Sequence, residues 1–173
     1  MEEATCVVNE TACNRNELIE EEVFLILHSG EIPEIAYYNA IYHLTRDPDG
    51  PSIELRPDDF IPLEEAVVKR YLKIIMRDLD PRNRDRRIYR GLERCAVNWK
   101  RLSRFSDNRK IDLTAERDRT AQALKAFLAQ ELEEVLSGRR TTSINCPYAV
   151  VVEFAKELGI PRNELPEGLK TIC

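Results

Sequence analysis

Two histidines, six glycines and one tryptophan in 173 residues leave little material for several familiar chemistries. The glycines all stand apart, so the chain has neither a P-loop nor the G-x-G-x-x-G turn of dinucleotide-binding proteins. His28 and His43 belong to no H-E-x-x-H or E-x-x-H pair, and Cys6, Cys13, Cys95, Cys146 and Cys173 form no C-x-x-C. Zinc-finger and di-iron ligand sets therefore have no local support. There is no G-x-S-x-G nucleophile elbow. The longest apolar run, VFLILH at 23–28, is far short of the roughly 18 residues of a membrane span. The acidic start, MEEATCVVNE, lacks the apolar stretch of a secretory signal, and an odd cysteine count without export predicts free thiols. The expected location is cytoplasmic, and no cofactor or metal is implied.

What the chain does have is helix-forming composition and segregated charge. Hydrophobic residues make up 43% and charged residues 33%, a balance that fits soluble helices with polar outer faces. Residues 1–66 carry 16 acidic and 3 basic side chains, a net of −13, whereas residues 82–110 carry 11 basic and 3 acidic, a net of +8. A layout of this kind raises the question of partners.

Start and stop signals divide the chain into five or six helices. Residues 1–13 have no clear period and read as a loose segment. Asn14 or Asn16 then caps a helix that Gly30 stops. Pro33 opens a second helix, which ends before the turn cluster DPDGP at 47–51. A third runs from about Leu63 to Asp78, with Val67, Tyr71, Ile74 and Ile75 on one face. Asp80 and Pro81 offer a cap and first residue for a long fourth helix to Arg104. Asp112 or Thr114 starts a fifth, ended by Gly138, and Asn145 with Pro147 opens a sixth, ended by Gly159. No strand pair and no internal period is visible. The fold class is therefore all-α, a single domain over 14–173 of mostly antiparallel helices. The expected core is Leu18, Phe24, Leu27, Ile41, Leu72, Ile75, Ile88, Leu92, Trp99, Leu102, Leu124, Leu128, Val135, Val151 and Phe154.

The fourth helix carries the candidate site. At 3.6 residues per turn, Ile88, Leu92, Cys95, Trp99 and Leu102 make one apolar stripe. Arg86, Arg90, Arg94, Arg101 and Arg104 lie opposite, with Val97 among them. Like charges at i,i+4 cost an isolated helix about 0.2–0.5 kcal/mol per pair, so an offset is expected. It comes either from carboxylates of the acidic half, such as Glu17, Glu20, Glu21 and Glu22, or from outside. Phe105, off the stripe near the helix end, is expected to be exposed and to meet a partner.

Near the C-terminus, EFAKELGIPRNELPEGL resembles the helix-turn-helix of DNA-binding proteins over about 20 residues. Ala155, Gly159, Ile160 and Leu165 occupy the small, turn and apolar positions of that motif. The resemblance implies a recognition helix from about Arg162 to Lys170. Pro166 and Gly168 fall inside it and oppose a helix there by about 3 and 1 kcal/mol.

Taken together, the residues favour a non-enzymatic interaction or adaptor protein that self-associates through its acidic and basic faces. The alternative is a nucleic-acid-binding accessory factor using the arginines. Its weakness is a sequence pI near 5.3, since nucleic-acid modules are usually basic. A third reading is a thiol- or metal-dependent enzyme with Cys146 or His28 in its site.

Overall fold

A computed structural model describes residues 7–46, 49, 52–83, 91–139, 144 and 146–173, with side chains from residue 14 onward. Among these the chain is all-helical, with seven α-helices rather than five or six. They are α1 (Val7–His28), α2 (Pro33–Arg46), α3 (Pro57–Leu79), α4 (Leu92–Arg109), α5 (Thr114–Leu136), α6 (Tyr148–Glu157) and the short α7 (Leu169–Ile172). The chain divides into two compact units, Met1–Arg70 and Tyr71–Cys173.

In the first unit α1 and α2 pack as a helical hairpin. Helix α1 begins at Val7, upstream of the expected caps Asn14 and Asn16. Its buried contacts are Ile19 and Ile26, against Ala36, Tyr37, Ala40 and Leu44 on α2. The expected core residue Phe24 is instead 58% exposed, and Leu18, Leu27 and Ile41 are half-buried. The run VFLILH is apolar on every side, so periodicity alone does not choose its inner face.

Helix α3 starts at Pro57, earlier than the expected Leu63. Proline suits the first helical position, and the Asp59 carboxylate accepts the Arg56 backbone N–H at 2.8 Å, the reach-back half of a capping box. The same carboxylate oxygen takes the Arg15 guanidinium at 2.7 Å. Arg15 also donates to the Glu54 carbonyl at 2.8 Å, which ties α1 to the segment leading into α3.

In the second unit α4 packs on α6, and α5 on α7. The core holds Leu72, Ile75, Leu92, Trp99, Leu102, Leu124, Leu128, Val151 and Phe154, all as expected from the sequence, while Val135 is half-buried. The expectation of one helix from Pro81 to Arg104 is corrected. Asp80 and Pro81 make a turn: the Asp80 carboxylate accepts the Arg82 N–H at 2.9 Å and the Asp80 carbonyl accepts the Asn83 N–H at 3.1 Å. The helix proper begins after Gly91, whose φ of 84° is a conformation that side chains disfavour. Ile88, Arg86 and Arg90 lie outside the described residues.

The helix-turn-helix resemblance holds only as far as the turn, as Pro166 and Gly168 led one to expect. Ala155, Ile160 and Leu165 are buried and Gly159 has φ 75°, so the first helix and turn do match. The second helix does not form. Arg162–Glu164 is a single 3-10 turn, Leu165 is extended, and α7 holds only four residues after Gly168 at φ 83°.

Candidate functional site

Helix α4 is two-sided, as its sequence demands. Leu92, Cys95, Ala96, Trp99, Leu102, Phe105 and Ser106 are buried. Arg94, Val97, Arg101 and Arg104 are exposed and fall at i, i+3, i+7 and i+10, one outer face. Trp99 thus belongs to the core, not to a stacking platform. Phe105 corrects the expectation of an exposed ring: it is 2% exposed, because the apolar face of α4 is wider than the tryptophan stripe alone. The Arg109 guanidinium lies 6.0 Å from its centroid.

The arginines differ in what they meet. Arg94 Nε lies 3.4 Å from Oδ2 of Asp78, and Arg77 Nη2 lies 3.2 Å from Oδ1 of the same buried carboxylate. The counter-charge for Arg94 therefore comes from Asp78 at the end of α3. Glu22 pairs with His43, at 3.6 Å within the first unit. Burial raises the Glu22 carboxyl above its usual range, with His43 opposing that shift. Asp78 was missed by sequence reasoning, although a signal existed. It follows Tyr71 and Ile75 by seven and three, which sets an acid on the apolar face of α3, where it needs a cation. Arg101 and Arg104, by contrast, are exposed, and neither is paired with a carboxylate among the described residues.

An open groove of about 710 Å³ flanks the C-terminal half of α4. Lys100, Arg104 and Arg117 line it with Asp107, Asp112 and Glu157, so it favours neither charge. Lys100 is held 3.7 Å from both Glu153 and Glu157 on α6.

The two histidines come together in the first unit. His28, His43, Glu22 and Glu31 line a cleft of about 320 Å³ between α1 and α2. The His28 ring stacks on Phe24, with centroids 4.2 Å apart, and its Nδ1 is 2.9 Å from the Phe24 carbonyl. Among the described residues, no three His, Cys, Asp or Glu side chains converge as metal ligands.

Cys146 is buried beside the start of α4, where the Leu92 and Glu93 backbone N–H groups favour its thiolate. A helix N-terminus lowers a thiol pKa. Here burial outweighs it, with help from the neighbouring Cys173 and Glu93, and the thiol is pushed up to about 11.

The geometry defines an all-helical protein whose exposed features are charged and apolar faces. No described helix is long and apolar enough to cross a membrane. Residues 14–160 match the family described as a repeat of unknown function (DUF7826), and the chain belongs to that family. No curated protein and no solved structure matches it.

Proposed function

We propose that the chain is a non-enzymatic interaction protein that associates with further copies of itself through faces of opposite charge. The observation that carries this reading is the outer face of α4. Arg101 and Arg104 stand open there without an ion pair among the described residues, while 16 acidic side chains are gathered in residues 1–66. Charge of the second kind is what an arginine face recruits, because each guanidinium can bind a carboxylate through two parallel hydrogen bonds. The same acidic excess repels a polyanion, and the net charge of −5 works against non-specific nucleic-acid binding. Neither buried Cys95 nor buried Cys146 forms a disulfide, which suits a reducing cytoplasm.

Light scattering across ionic strength tests the reading. The Debye length falls from about 10 Å at 0.1 M salt to about 3 Å at 1 M, so the mean mass should fall as salt rises. The Arg101→Glu/Arg104→Glu variant should show much less association at low salt. A monomer at every salt and protein concentration overturns self-association. Tight binding of labelled RNA or DNA at low salt, abolished in the same variant, replaces it with polyanion binding.

A further inference from the structure

Helix α2 is apolar on two opposite sides. Pro33, Ala36, Tyr37, Ala40 and Leu44 are buried on one. On the other, Ile35, Tyr38 and Tyr42 are 47%, 52% and 54% exposed. Their spacing of i, i+3 and i+7 makes them a single stripe, half a turn away from the buried one. Isolated exposed apolar side chains are ordinary, but an aligned stripe on a surface helix is not. Half of a tyrosine's contact area is about 100 Å², so the two rings and Ile35 can supply the apolar centre of an interface. Tyr38 is steadied by an edge contact with Tyr37, ring centroids 5.4 Å apart.

Two observations say what covers this stripe. The family is a repeat, and repeat units leave an apolar face that a neighbouring unit closes. The stripe also lies on the acidic unit, with Glu31 and Glu34 at its N-terminal end. A basic partner face is required, and the outer face of α4 has the matching form. Val97 is exposed there between Arg94 on one side and Arg101 with Arg104 on the other. Guanidinium groups stack on tyrosine faces and fork onto carboxylates, and both are present around α2.

We infer that the outer face of α2 in one copy receives the outer face of α4 in the next. The inference rests on the self-association proposed above and names its two surfaces. Because those surfaces differ, each contact leaves one face of each kind unused. The association grows head to tail unless it closes, as a ring or as a two-fold dimer in which α2 and α4 pair twice.

Complementary variants test this. Tyr38→Ser/Tyr42→Ser removes the first face and Arg101→Glu/Arg104→Glu the second. All four positions are exposed, so both proteins should fold, with circular dichroism and melting curves like those of the native chain. Native protein should associate as concentration rises. Each variant alone should lose association at least tenfold. Mixed one to one, the variants should form a dimer and nothing larger, since each supplies the face that the other lacks. A mixture that stays monomeric while the native chain associates overturns the pairing of these faces. A tyrosine variant that associates as the native chain does removes α2 from the contact while leaving the charge-driven reading intact. A native chain that is monomeric throughout overturns both.

Discussion

Arg94 Nε stands 3.4 Å from Oδ2 of Asp78, so one arginine of the cationic face is committed to the fold while its neighbours two turns on are open. The contact is an ion pair without hydrogen-bond alignment, and the two partners are unequal. Asp78 is buried, whereas Arg94 keeps 45% of its side chain in solvent. Removing the arginine strands a carboxylate that, among the described residues, only Arg77 still serves. Arg94→Ala should therefore destabilise the protein by about 1–3 kcal/mol, the range for losing one partner of a charged buried group. In an Asp78→Asn background the same change should cost under about 0.5 kcal/mol, because no buried charge remains. Urea unfolding of the four proteins gives the coupling. Equal effects in both backgrounds would show that Arg94 matters through its packing alone.

Phe105 and Val97 make a second pair with opposite fates on one helix. The ring is inside and the valine is outside. Phe105→Ala should cost about 3–5 kcal/mol, as core phenylalanines do. Val97→Ala should stay within about 0.5 kcal/mol in dilute protein, where α4 has no partner. Thermal melts of the two variants decide the matter. A Phe105 variant as stable as the native chain would return that ring to the surface, where the sequence pattern puts it.

Legibility in the sequence followed the range of the signals. Helix α2 runs from Pro33 to Arg46 as expected, because a proline at its start and the DPDGP cluster past its end are local cues. The core stripe Leu92, Trp99, Leu102 was readable for the same reason: one strong period on one helix. The start of α4 was misplaced although its cue was present. Gly91 sat in the interior of the expected helix, where glycine is disfavoured by about 1 kcal/mol, and it turns out to precede the first turn. Phe24 and Phe105 were misassigned for a different reason. Whether an aromatic at the edge of a stripe is covered depends on which element arrives from elsewhere, and periodicity carries no record of that. Asp78 lay between these cases. Its place on an apolar face announced the need for a cation but did not name Arg94. The outer stripe of α2 was hidden by its own abundance, since a helix apolar on two sides does not reveal which side remains wet.

Cys146 gives the pH test. The backbone N–H groups at the start of α4 favour its thiolate, yet burial holds the proton on, and the thiol is pushed up to about 11 from the ordinary 9.0. The folded chain thus binds this proton more tightly than the unfolded chain. The contribution to stability is fully present below pH 9, falls as the unfolded thiol ionises, and is gone above about pH 11. Native stability measured by denaturant unfolding should drop across that window, and the drop should be shallower in Cys146→Ala. Lysines and tyrosines titrate there too, which is why the comparison between the two proteins, and not the slope of one, carries the result. The same raised pKa predicts that Cys146 resists alkylation at pH 8 until the protein unfolds, because the thiolate is the reactive form. Rapid modification of Cys146 in the native state at that pH, mapped by mass spectrometry, would mean that the thiol is open to solvent and that the amide dipoles, not burial, govern the sulfur.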